Sequence, residues 1–236
     1  MSGTSIEWTD EVWNPTVGCS RVSPGCKPGD HCYAIRVAAR EMQPAHVGLT
    51  VRGESGDGRD GVPGTARTGQ DTRPAGEPNP LHSPRLDWTG EVRLLPERLD
   101  QPLRWRKPRR VFVDSMSDLF HPDVPDDHIG RVFGIMGAAS QHTFQVLTKR
   151  PQRMASLVGG DWLRWRIGGS SWPLPNVWLG TSVEDQRWAD IRIPHLLATP
   201  AAVRFLSVEP LLGPVDLSRW LTTQTMVSAA AAAVED

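Results

Sequence analysis

RRVFVDSMSD, residues 109–118, decides the fold: a β-branched and aromatic run, Val111 to Val113, passes abruptly into Asp114, Ser115, Ser117 and Asp118. Branched and aromatic side chains fit a pleated, half-buried surface, and the switch to short polar residues marks where such a strand stops. The same order recurs in TFQVLTKRP (143–151), NVWLGTSVED (176–185) and VRFLSVEP (203–210), with successive starts 34, 33 and 27 residues apart. Helical patterns fill the intervals. PDDHIGRVFGIMGAA (125–139) sets Ile129, Val132, Phe133 and Met136 on one face. DQRWADIRIPHLLAT (185–199) carries Trp188, Ile191, Leu196 and Leu197 and is expected to break at Pro194, while PERLDQPLRW (96–105) supplies a shorter helix. Asp126 and Asp185, beside helix starts, are expected to cap them.

Strands separated by helices at this interval predict βαβ units and a parallel sheet, as in a (β/α) barrel or an open doubly wound fold. The strand ends favour the barrel. Asp114 to Asp118, then Thr148, Lys149 and Arg150, then Thr181, Ser182 and Glu184, then Ser207 and Glu209 would converge on the one face where barrels keep their sites. Two weaker strands, GEVRLL (90–95) and one around residues 11–16, complete the set. The expected fold is α/β, a partial (β/α) barrel of about six mostly parallel strands.

Between residues 48 and 80 the composition changes to eight Gly and four Pro with no aromatic residue, too polar to offset its own ordering entropy. A disordered insertion is expected at about 48–85, inside a single domain spanning 1–220; residues 221–236, alanine-rich, read as an unstructured tail. GESGDG in the insertion has neither the strand before it nor the helix after it that a phosphate loop needs. The 236-residue chain is 39% hydrophobic with a formal net charge of −1, which gives no overall bias toward nucleic acid. With no run of about 18 apolar residues and no signal-peptide pattern, the expectation is a cytoplasmic protein without membrane association. Ten Trp stand against five Phe and one Tyr, scattered as core and groove residues are.

GCSRVSPGCKPGDHCYA (18–34) holds the only three cysteines, Cys19, Cys26 and Cys32, spaced C-x6-C-x5-C. In a reducing compartment such a cluster points to metal or redox chemistry. Structural zinc asks for four ligands, usually from paired C-x2-C, and His31 beside Cys32 is the nearest fourth. Unliganded thiols and a nucleophilic cysteine remain alternatives, the latter without a local signature. Three thiolates from one loop also suit a four-iron cluster with one iron left open. That open iron could take the amine and carboxylate of S-adenosylmethionine, whose sulfonium C–S bond one electron then breaks.

Taken together, WTDEVWNPTVGCSRVSPGCKPGDHCYA (8–34), VFVDSMSDLFHPDVPDD (111–127), QHTFQVLTKRPQRM (141–154), NVWLGTSVEDQ (176–186) and RFLSVEPLLGP (204–214) resemble the phage and bacterial three-cysteine-motif family named for phage gene products thirty-seven and sixty-eight. Its members are regarded as radical-SAM-like partial barrels whose reaction is not established. The resemblance implies an enzyme of that type, phage-encoded and acting in the host cytoplasm, with Cys19, Cys26 and Cys32 ligating a [4Fe-4S] cluster that binds S-adenosylmethionine. It implies His31 or Tyr33 near the adenine, and Ser115, Asp118, Lys149, Glu184 and Glu209 around the mouth as cofactor or substrate contacts, with Lys149 and Glu184 otherwise an ion pair. The substrate is left open, a phage or host protein or nucleic acid among the possible partners. The chain departs from the family in the KPGDH segment (27–31), three residues longer than the usual spacing, and in the text after residue 214, where a further strand is expected and absent. The rival readings are a zinc-stabilised protein binding nucleic acid or a phage partner, supported by the basic run RWRKPRR (104–110), and a catalytically degenerate member of the family.

Overall fold

A computed structural model describes residues 4, 6–26, 32–40, 44–53, 85–168 and 171–221. The strand pattern of residues 109–118 is β6 (Arg110–Val113), and its repeats are β7 (Thr143–Thr148), β8 (Val177–Ser182) and β9 (Val203–Ser207). The N-terminal strand is β1 (Glu11–Trp13). These five form one sheet in the order β1-β6-β7-β8-β9, with every neighbouring pair parallel. Parallel neighbours need crossover connections, and helices supply them: α2 (Asp126–Ala138), α3 (Pro151–Val158) with α4 (Asp161–Ile167), and α5 (Gln186–Ala198). The architecture is α/β with alternating strands and helices, consistent with a partial barrel.

Register explains how one sheet serves both a core and a site. Val111, Phe144 and Val177 lie side by side across three strands, as do Val113, Val146 and Leu179. All six are buried, packed with Ile129, Val132, Phe133 and Met136 of α2, the face expected for that helix. Because side chains alternate, the intervening residues Phe112 and Leu147 point to the other face, which is less covered.

Several expectations are corrected. GEVRLL does not join the sheet: its Arg93–Leu94 (β5) pairs antiparallel with β2 (Thr16–Val17), and among the described residues the parallel sheet has five strands. α5 runs through Pro194 without a break. The proline removes one backbone donor, and the carbonyl left without it, four residues earlier, belongs to exposed Asp190, where water can serve. Asp185 caps α5, its carboxylate accepting from the Trp188 amide at 3.0 Å. Asp126 is not a cap; Pro125 occupies that position and Asp126 pairs with Arg153 at 2.5 Å. PERLDQPLRW forms two short 3-10 turns, Pro96–Arg98 and Gln101–Arg104.

The insertion has ordered margins. Thr50–Gly53 (β3) and Arg85–Trp88 (β4) form an antiparallel ribbon in which Gly53 faces Arg85, and it packs with α1 (Tyr33–Ala38) through Leu49, Trp88 and Ile35. The remainder of the expected insertion, 54–84, lies outside the described residues, as do KPGDH (27–31) and 222–236. Among the described residues, no helix is long and apolar enough to cross a membrane.

Candidate functional site

A cavity of about 400 Å³ opens where β6, β7, β8 and β9 end, walled on its other side by the segment between β2 and α1. Cys19, Cys26 and Cys32 come from that segment and Tyr33 from the start of α1; Ser115, Asp118, Lys149 and Glu209 come from the strand ends. The structure therefore brings eight of the ten residues singled out from the sequence to one cavity. Of the other two, His31 lies outside the described residues, and Glu184 is fully buried behind the wall rather than at the mouth.

Asp118 organises the wall. One carboxylate oxygen accepts from the Thr148 hydroxyl at 2.7 Å and the Phe120 amide at 3.0 Å. The other accepts from the Lys149 amide at 3.1 Å and from Arg150 Nη1 at 3.0 Å. Four donors saturate the group and bind the end of β7 to the loop after β6. Arg150 then reaches the cysteine segment: its Nη2 donates to the Ser20 carbonyl at 3.1 Å and Oγ at 3.0 Å, and its Nη1 lies 3.8 Å from Cys19 Sγ. Burial, with the Asp118 carboxylate adding to it and Arg150 opposing, pushes the Cys19 thiol up to about 12, so the ion-free thiol is protonated.

Asp114 is a second acid of different character. It holds a left-handed conformation, φ 58°, where the chain turns off β6. One oxygen accepts from the Thr16 amide at 3.0 Å, and the other is buried without a partner. Burial raises this carboxyl well above its ordinary range, with the nearby Asp118 charge adding to the effect. The two acids on this wall thus differ in hydrogen bonding, Asp118 having four donors and Asp114 one.

Ser20, His121 and Asp123 mimic a nucleophilic triad, with Ser20 Oγ 2.6 Å from His121 Nε2 and the Asp123 carboxylate 3.7 Å from Nδ1. The hydrogen bonds contradict that role. Nδ1 accepts from the Asp123 amide at 3.2 Å, so in the neutral ring the proton sits on Nε2, and burial together with Arg150 favours the neutral ring. An Nε2 that donates to serine cannot take its proton.

Glu184 accepts from the Ser23 hydroxyl at 2.6 Å and from Arg192 Nη1 at 3.1 Å, and lies 3.5 Å from Lys149 Nζ, the anticipated ion pair. Arg192 is 1% exposed, so a charged side chain sits in the buried stripe of α5 with Ala189, Ile193 and Leu196. Arg192 and His121 carried no local sequence signal; Asp114 and Arg150 did, as polar residues at strand ends. The basic run 104–110 is largely spent in ion pairs: Arg104 with Asp100, Arg109 with Glu11, Arg110 with Asp10.

In donor chemistry the cavity suits a thiolate-bound group, since all three thiols are free of disulfides and face one space. The sulfurs are not gathered, however: among the described residues no three Cys, His, Asp or Glu side chains approach closely enough to share a metal ion. No curated protein and no solved structure matches the chain. A family model does, over residues 3–227, and the chain belongs to the family described as "Protein of unknown function (DUF5131)".

Proposed function

We propose that the cavity is a radical-SAM-type site of the three-cysteine-motif kind, with Cys19, Cys26 and Cys32 holding an iron–sulfur cluster and S-adenosylmethionine bound beside it. The observation that carries this reading is that the chain's only three cysteines, scattered over fourteen residues, all line one cavity of about 400 Å³ at the C-terminal ends of a parallel sheet. Such a cluster supplies, when bound, a single electron for reductive cleavage of the sulfonium carbon–sulfur bond. The chain's own residues prepare the space. Arg150 ties the segment bearing Cys19 to Asp118 and hence to β7. Trp8, Phe112 and Leu147 give the cavity an apolar side that limits water. Lys149, on the wall and paired with Glu184, places a cation where an anionic part of a ligand can meet it.

The test is anaerobic purification followed by reconstitution with iron and sulfide. A brown protein carrying about four irons and labile sulfide per chain, which under reductant converts S-adenosylmethionine to methionine and 5′-deoxyadenosine, is the expected result. Cys32→Ala should lose the colour. A colourless protein that retains one zinc per chain would sink the proposal, and a brown protein that leaves S-adenosylmethionine intact would confine it to a cluster-binding protein without the reaction.

A further inference from the structure

Cys26 sits at the end of a 3-10 turn, Pro24–Cys26. What holds it is Glu184. The Ser23 hydroxyl donates to one Glu184 oxygen at 2.6 Å, and the Cys26 amide donates to the Ser23 carbonyl at 2.8 Å. Gly25 lies flat on the same carboxylate: a Cβ there would stand 2.5 Å from Oε1 and 2.6 Å from Cγ of Glu184. Ser23 Oγ is also 4.0 Å from Cys26 Sγ, so the residue that grips Glu184 touches the thiol. Behind this contact Glu184 cannot shift, because it is fully buried and fixed by Arg192, which also donates to the Ser182 carbonyl at 2.7 Å and lies 4.3 Å over the Trp188 ring.

We propose that Glu184 is the positioning residue of the cysteine segment: Ser23 and Gly25 dock on its carboxylate, and this docking sets Cys26 against the cavity. The assignment takes its purpose from the proposed cluster and in that sense rests on it, but the docking is a property of the iron-free chain. Glycine at position 25 is then required by the acid beneath it and not by its own backbone.

The experiment measures the rate at which iodoacetamide alkylates Cys26 in iron-free protein, resolved from Cys19 and Cys32 by peptide mass spectrometry, with circular dichroism to verify folding. Gly25→Ala should raise the Cys26 rate by about tenfold, the change that ~1.4 kcal/mol of lost docking gives, and Ser23→Ala should raise it by a smaller factor. Glu184→Ala is made together with Arg192→Met so that no buried charge is left alone. In that background, where the new Cβ has room, Gly25→Ala should have no further effect. An equal effect of Gly25→Ala in both backgrounds, or a folded Ser23→Ala protein whose Cys26 rate does not move, would overturn the assignment. Iron uptake by the wild-type chain is measured in parallel. Coupled Cys26 rates in a protein that takes up no iron would leave the docking standing and remove the cluster.

Discussion

Asp118 and Asp114, four positions apart on one wall, differ in what the fold delivers to their oxygens. Asp118 has a hydroxyl, two amides and a guanidinium on its oxygens, a pattern only a carboxylate can accept in full. Asp118→Asn turns one acceptor into a donor facing donors and leaves Arg150 without its counter-charge, which should cost about 3 kcal/mol in urea unfolding. Asp114 behaves oppositely. Its folded pKa is raised above the unfolded value of 3.8, so the native state binds more protons there and stability falls as pH rises from that value through the folded pKa. Asp114→Asn should therefore be more favourable relative to wild type at pH 8 than at pH 4, and a stability difference that does not change with pH would contradict it. Asp118 was legible as a site residue because short polar groups after a β-branched run declare a strand end. The contrast between the two acids was not, because it depends on which backbone amides the fold delivers to each.

At the scale of elements, α5 carries the clearest lesson. Of the apolar residues its sequence offers, Ile191 and Leu197 are exposed, whereas Ala189, Arg192, Ile193 and Leu196 are buried. An arginine in the buried stripe disguises the helical period, since nothing local reveals that Glu184 waits for it. Ile193→Ala should cost about 2–5 kcal/mol and Ile191→Ala less than about 0.5, measured by the same denaturation. Between β8 and β9 the limiting feature is Gly180, where a Cβ would lie 2.6 Å from the Phe205 ring. Gly180→Ala should destabilise by about 2 kcal/mol through overpacking, and Phe205→Leu in the same chain should recover part of the loss. The parallel strands and α2 could be read in advance because their patterns are long and unmixed. β5 could not, because two residues paired with β2 look like any short strand.

For the whole molecule, the ribbon of β3 and β4 closes at Gly53 and Arg85, so the segment between them joins two points already held together. Replacing residues 54–84 with a short Gly/Ser linker should leave the Tm within a few degrees, since loop-closure entropy changes by only about 0.6 kcal/mol per doubling of length; a collapse of the transition would show that the segment packs on the body. The site as a gathering of strand ends was legible from the repeat of residues 109–118, whereas the burial of Glu184 was not, because it depends on the cysteine turn folding down onto β8. The order of the sheet carries one more consequence. The chain leaves β1 at Trp13 and re-enters the sheet at Arg110, the first residue of β6, which runs parallel to β1. The cysteine turn, α1 and both ribbons therefore lie on a single crossover that leaves the sheet at one end of β1 and re-enters it at the opposite end of β6. The longer KPGDH spacing and the glycine-rich insertion both fall within it, so neither added length interrupts a strand of the five-stranded sheet.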